Sequence, residues 1–111
     1  MPHLVFRGLG AEPLRSIAEP LARELAALCG CGTDNFTMNI LASETVFGAA
    51  GNGPAFIFIE VGWFERGRDT RDSFARLVTE YVGKLGDAEI EIVFHAYRED
   101  SYYIDGEPVQ A

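Results

Sequence analysis

The sequence predicts an α+β domain in which two strand–helix–strand units form one four-stranded sheet, with both helices on one face. Three observations lead to this prediction. The chain has 111 residues and is 48% apolar, enough for one core and therefore for a single domain over residues 1–111. Apolar residues alternate in three short runs and are nearly continuous in a fourth, both of which are strand patterns. Two longer runs carry apolar residues at helical spacing.

The first unit begins with a strand over residues 3–8, ended by glycines. A helix opens after Glu12-Pro13, since proline is tolerated in the first helical turn. Pro20 lies within the apolar stripe of this helix and predicts a kink, or a short first turn followed by a main helix from about residue 19. The segment 30–32, Gly-Cys-Gly, is expected to end the helix.

A second strand is predicted from Phe36, with a possible continuation through Thr45-Val46-Phe47. Residues 48–54 are a loop by their glycine content, and they lack the spacing and the following helix of a phosphate-binding loop. Residues 55–64 are apolar except for Glu60 and Gly62. Such a run is typical of a central strand that is covered on both faces.

The second helix is predicted to be capped near Asp69 or Thr70 and to run to about Leu85, with a clear apolar stripe. Residues 89–97 alternate as a fourth strand. Asp105-Gly106 is a favoured tight-turn pair and predicts a short C-terminal strand or hairpin. Two helices cover one sheet face only, so the second face is expected to be buried against another copy of the chain in a homo-oligomer.

Composition and charge narrow the function classes. A net charge of −8 argues against a nucleic-acid surface, which needs clustered Lys and Arg. No apolar run reaches membrane-spanning length and no secretory leader is evident, so we expect a cytoplasmic protein without a membrane segment. Cys29 and Cys31 are too close in sequence for an unstrained disulfide and are expected to be reduced thiols. No metal or other cofactor is implied.

Pro2 follows the initiator Met1 and directly precedes the first strand. If Met1 is removed, the chain begins with a secondary amine that is held at the end of a sheet. In an apolar pocket the charged form of this amine is destabilised, which lowers its pKa and lets it act as a base near neutral pH.

Four segments carry a resemblance to a known family. They are residues 2–8, 31–37, 60–67 and 102–103, with the sequences PHLVFRG, CGTDNFT, EVGWFERG and YY. Together with the double strand–helix–strand plan, they resemble the tautomerase superfamily, which includes macrophage migration inhibitory factor. The resemblance is closest to a small bacterial family of uncharacterised function within that superfamily. It implies a tautomerase-like fold and a homotrimer with pockets at the subunit interfaces.

The resemblance also implies candidate site residues. Pro2 is the candidate catalytic residue, a general acid/base that moves a proton between the carbon and oxygen of a small 2-keto or enol acid. Trp63 is expected beside the proline as an apolar wall. His95 corresponds to a polar pocket residue of a neighbouring subunit, and Tyr97 shares its strand face. Cys31 stands where a cationic residue binds carboxylate, so another cation has to substitute for it. Arg66, Arg98 and Arg7 are the candidates; strand alternation puts Arg7 on the opposite face from Pro2, and Arg66 is taken as the substrate-binding residue.

Two alternatives stay open at this point. The chain can be a non-catalytic oligomer that keeps the tautomerase fold and binds a small ligand or a protein partner. It can also be a ferredoxin-like binding domain, which has the same order of elements. The two folds differ in strand pairing, because a parallel pair of the first and second strands excludes the ferredoxin-like order.

Overall fold

A computed structural model of the chain describes residues 2–48 and 56–110. Two strand–helix–strand units follow each other and a small hairpin ends the chain. The first unit comprises β1 (His3–Arg7), α1 (Ala11–Cys29) and β2 (Thr37–Ile40). The second comprises β3 (Phe56–Trp63), α2 (Arg68–Gly83) and β4 (Glu89–Ala96). The hairpin consists of β5 (Tyr103–Ile104) and β6 (Glu107–Pro108).

The main sheet has the strand order β2-β1-β3-β4. Within each unit the two strands are parallel, β1 with β2 and β3 with β4. The units join through the antiparallel pair of β1 and β3, in which His3 lies opposite Gly62. The parallel β1–β2 pair excludes the ferredoxin-like order and confirms the predicted architecture.

The core lies between the sheet and the two helices. Alternate residues of β1 and β3 point towards the helices and are buried, while their neighbours point to the other face. The helices contribute the predicted stripes at intervals of three and four residues. Burying each large apolar side chain contributes about 1.5–3 kcal/mol. The fully or almost fully buried set is Leu4, Phe6, Leu14, Ile17, Leu21, Leu25, Ile57, Ile59, Val61, Trp63, Phe74, Val78 and Val82.

Helix α1 continues through Pro20, so the predicted division into a short first turn and a later main helix is wrong. Pro20 is exposed, and the Ser16 carbonyl that loses its partner there belongs to another exposed residue. The stripe on both sides of Pro20 packs on the sheet and holds the helix together. As predicted, Gly30 ends it, with φ 68° and with its N–H bonded to the helix.

Strand β2 ends at Ile40, and the expected continuation through Thr45-Val46-Phe47 is wrong. The side chains of Val46 and Phe47 are 93% and 96% exposed. The cause lies in the partner strand. β1 pairs with β2 only as far as Phe6 and Ile40, so residues 45–47 have no partner in β1. Residues 49–55 lie outside the described residues. They include the predicted loop over 48–54 from its second residue onwards and the first residue of the predicted third strand.

Helix α2 begins and ends about two residues before the predicted limits. Its N-cap is Gly67, with φ 91° and without a side-chain cap, rather than Asp69 or Thr70. The Glu65 carboxylate stabilises this end of the helix instead. It accepts a hydrogen bond from the Gly67 N–H at 2.8 Å and forms an ion pair with Arg71 at 2.9 Å. Among residues 2–48 and 56–110, neither helix is long and apolar enough to cross a membrane.

The predicted C-terminal hairpin is present. Asp105 and Gly106 have φ values of 50° and 85°, which matches the turn geometry that favours an Asp-Gly pair. The Val109 N–H bonds to the Tyr102 carbonyl at 2.8 Å. Tyr102 in turn reaches the first strand, where its Oη lies 3.4 Å from His3 Nε2.

An aromatic cluster of His3, Phe64, Tyr97 and Tyr102 covers one end of the helix-free sheet face. Tyr97 Oη lies 3.2 Å from His3 Nδ1, and the Phe64 ring packs edge-on against both tyrosines. Tyr97 lies directly over Gly62, where a Cβ atom would stand 1.7 Å from its Oη. Gly62 is therefore required for this arrangement.

We predict that Gly62→Ala displaces Tyr97 and lowers the free energy of unfolding by about 1–3 kcal/mol through overpacking. Denaturant unfolding measures the loss. In a Tyr97→Ala background the same change should cost much less, because the ring it collides with is gone. Gly86→Ala is the matched control, since a Cβ there has open space. Equal losses in the two backgrounds would contradict the proposed contact.

Candidate functional site

Pro2 lies at the start of β1 with its side chain fully buried. Its carbonyl accepts a hydrogen bond from the Thr37 N–H at 3.3 Å. The antiparallel register pairs His3 with Gly62, and its continuation by one residue brings Pro2 opposite Trp63. Both side chains are buried, on the helix side of the sheet. The predicted base and the predicted apolar wall are thus neighbours on adjacent central strands.

Trp63 is more enclosed than a pocket wall needs to be. Its side chain is fully buried and packs against Phe74 and Phe94, with ring centroids 5.3 Å and 4.9 Å away. Among the described residues, the buried indole Nε1 has no hydrogen-bond acceptor. This could not be predicted from the sequence, because an apolar run specifies burial but not the partner of a ring nitrogen.

Arg66 covers Trp63 from the loop that follows β3. Its Cζ lies 5.3 Å from the centre of the Trp63 ring, in cation–π contact. Its Nη1 donates to the Phe64 carbonyl at 2.8 Å. The ion pairs within residues 2–48 and 56–110 use other arginines. A half-buried guanidinium without a carboxylate, in a chain of net charge −8, is a candidate anion-binding group.

Cys29 belongs to the same region. Burial raises the pKa of its thiol, and the Arg66 guanidinium opposes this rise. The end of α1 therefore lies within electrostatic range of Arg66 in a partly desolvated place. Both Cys29 and Cys31 are free thiols, as expected from their spacing. Sequence reasoning did not identify Cys29 as a neighbour of the site.

The other two cations considered from the sequence are elsewhere or occupied. Arg7 lies over the Phe58 ring, 4.9 Å from its centre, at the opposite end of β1 from Pro2. Arg98 makes two hydrogen bonds to the Asp100 carboxylate, at 2.6 Å and 3.0 Å. Arg66 is thus the cation best placed for a ligand beside Pro2.

His95 and Tyr97 lie on the opposite, helix-free face of the sheet. His95 pairs in register with Gly62, and its Nε2 is 2.9 Å from Glu60 Oε1 in an exposed contact. Tyr97 lies over Gly62, and burial together with the neighbouring Tyr102 raises its pKa. Within one chain, the five predicted site residues therefore form two groups on opposite sides of the central strands.

A depression on the described surface lies away from the five predicted site residues. It has a volume of about 410 Å³, lies on the outer side of α2 and is lined by none of the five; its lining is Asp72, Ala75, Arg76, Thr79 and Glu80. Within residues 2–48 and 56–110, no three His, Cys, Asp or Glu side chains converge in a way that would hold a metal ion.

The chain matches one protein family over almost its whole length. The family model described as "Domain of unknown function (DUF1904)" matches residues 1–108. The crystal structure of a DUF1904 domain from Sebaldella termitidis ATCC 33386 is 37% identical, covers 97% of this chain and 99% of its own, and has a TM-score of 0.86. No curated protein is significantly similar to the chain in sequence.

More distant structures share the fold. A macrophage migration inhibitory factor-like protein from Entamoeba histolytica is 15% identical over 96% of this chain and 97% of its own, with a TM-score of 0.72. A fused 4-OT protein, described as an asymmetric trimer, is 14% identical over 97% and 96%, with a TM-score of 0.78. The chain therefore has the fold of the tautomerase superfamily, and it belongs to the DUF1904 family of domains of unknown function.

Proposed function

We propose that the protein is a cofactor-independent tautomerase or isomerase of a small 2-keto or 2-hydroxy-enoic acid, with Pro2 as general acid/base. One observation carries the proposal. A buried Pro2 stands opposite Trp63, and an arginine without a carboxylate partner among the described residues lies over that tryptophan. A base in an apolar setting beside an anion-binding group is what proton transfer next to a carboxylate requires.

Removal of Met1 is the chemical condition for this role, because a preceding residue turns the Pro2 nitrogen into an amide. The free secondary amine takes a proton from the carbon next to the substrate carbonyl, and the electron pair of that C–H bond forms the enolate. The same proton then returns to oxygen, or to another carbon of a conjugated acid. Burial supports this role because it disfavours the ammonium form and lowers the pKa of the amine.

Arg66 binds the substrate carboxylate in this proposal. Its stack on Trp63 and its single hydrogen bond to the Phe64 carbonyl leave guanidinium donors for a ligand. A charge-assisted hydrogen bond in a partly desolvated site is worth about 1.5–3 kcal/mol. This is enough to select an acid over a neutral ketone of the same shape.

We further propose that the site is completed in a homotrimer. The helix-free sheet face carries Val5, Phe56, Phe58 and Val93, all partly exposed in the single chain. A second copy on this face would bury them. In the proposed trimer, His95 or Tyr97 of one chain reaches the Pro2 end of a neighbouring chain at the edge of this interface. A trimeric fused 4-OT with the same fold supports this assembly. The free thiols suit the cytoplasmic location expected from the sequence.

We predict that Pro2→Ala lowers the enzyme-catalysed ketonisation of phenylpyruvate enol by roughly 10²–10⁴-fold, the usual contribution of a general acid/base. Loss of enol absorbance measures the rate, with protein purified without an N-terminal tag. Pro13→Ala is the matched control, since Pro13 is exposed in the first turn of α1. Unchanged turnover in Pro2→Ala would refute the proposal. Absence of turnover in the wild type would favour the non-catalytic, ligand-binding alternative.

We predict that light scattering of the wild type gives three times the chain mass and that Val5→Lys gives the chain mass. The new ammonium lies opposite Glu60 in the β1–β3 ladder, so the single chain tolerates it, whereas assembly would bury it at a large cost. Thr79→Lys, on the exposed side of α2, should leave the trimer intact. A monomeric wild type would be inconsistent with a site shared between chains.

A further inference from the structure

The indole N–H of Trp63 is a buried donor without an acceptor among the described residues. Buried indole N–H groups usually find a partner, because an unpaired buried donor loses its hydrogen bond to water without replacement. The contacts of the ring with Phe74 and Phe94 are aromatic packing, which phenylalanine would also provide. The packing around residue 63 therefore does not account for the nitrogen.

Among residues 2–48 and 56–110, Arg66 makes the cation–π contact with this ring. It lies over Trp63 at 5.3 Å and its described hydrogen bond is to the Phe64 carbonyl, within its own loop. The next residue, Gly67, has φ 91°, so the loop changes direction directly after the arginine. A ligand carboxylate can pair with this guanidinium in a charge-assisted hydrogen bond, because the ion pairs among residues 2–48 and 56–110 use other arginines.

We propose that the Trp63 indole N–H is the second ligand-binding donor of this site and that it bonds the 2-oxygen of a 2-keto acid. The carboxylate of the ligand pairs with Arg66, and the keto or enolate oxygen on the adjacent carbon accepts a hydrogen bond from the indole N–H, which has no acceptor among the described residues. The inference rests on the proposed function for its ligand class. It adds a specificity-determining residue that separates 2-keto acids from simple carboxylic acids.

The chemistry of the ligand explains why two neighbouring donors are needed. In a 2-keto acid the carboxylate and the carbonyl oxygen are on adjacent carbons, and the carbonyl oxygen gains negative charge when the neighbouring carbon loses a proton. A fixed N–H in a water-poor place stabilises such a charge better than solvent does. The unpaired N–H destabilises the free protein, and it forms its hydrogen bond only when the ligand is bound.

Trp63 is the single tryptophan of the chain, so the protein has one indole Nε1–H resonance. We would titrate ¹⁵N-labelled Pro2→Ala protein, which binds without turnover, with pyruvate and separately with propionate, the matched acid without a keto oxygen. Pyruvate is expected to move the indole proton downfield. Trp63→Phe should bind pyruvate roughly tenfold more weakly and propionate within about twofold of the parent, as expected for one lost hydrogen bond.

Phe94→Leu serves as the control for a loosened core, since it disturbs the same ring cluster and keeps the N–H. It should weaken both acids equally or neither. An indole resonance that does not move at saturating pyruvate, equal pyruvate affinities of the parent and Trp63→Phe, or no pyruvate binding to the parent would each overturn the inference. If pyruvate moves the resonance while Pro2→Ala keeps full turnover, the inference stands and the role of Pro2 fails.

Discussion

The antiparallel pairing of β1 with β3 is the constraint on which the rest of the structure depends. It joins the two strand–helix–strand units through His3 and Gly62 and thereby brings Pro2 opposite Trp63. Because strand residues alternate between faces, a slip of one residue would turn Pro2 away from the helices and move Gly62 from under Tyr97. A side chain at position 62 would collide with Tyr97. The glycine therefore links the register of the central strands to the attachment of the C-terminal segment.

The same alternation explains why one chain holds its candidate residues in two groups. Pro2 and Trp63 are on the helix side, whereas His3 and its register partner Gly62, with His95 next to Gly62, are on the helix-free side. One sheet cannot present side chains from both of its faces to the same ligand. The partly exposed apolar residues of the helix-free face and the separation of the candidate residues are therefore the two observations behind the proposed homotrimer.

Much of the fold could be predicted from the sequence because its signals are local. The alternation of β4, the stripe of α2 and the Asp105-Gly106 turn depend on neighbouring residues, and all three are present. The errors arose where distant residues decide. The short β1 ends the pairing of β2 before Val46, and the sheet keeps α1 continuous at Pro20.

The candidate site also has some parts that could be predicted from the sequence and others that could not. Pro2, Trp63 and Arg66 could be chosen from the sequence through the family resemblance; Arg66 lies over Trp63, and the continued β1–β3 register places Pro2 opposite Trp63. The unpaired indole nitrogen and the nearby Cys29 thiol could not be foreseen, because each follows from the packing of separate elements. The capping of α2 by Glu65 is a further example, since it depends on the backbone turn at Gly67.

The central claim is that the chain presents a free, desolvated proline amine beside Trp63. The most direct test is an NMR titration of the Pro2 nitrogen in ¹⁵N-labelled, untagged protein. The account predicts one secondary amine per chain, with a pKa below the range of about 7.7–8.0 that is usual for α-amino groups. A Pro2 nitrogen that is an amide because Met1 is retained, or an amine that titrates within or above that range, would contradict it.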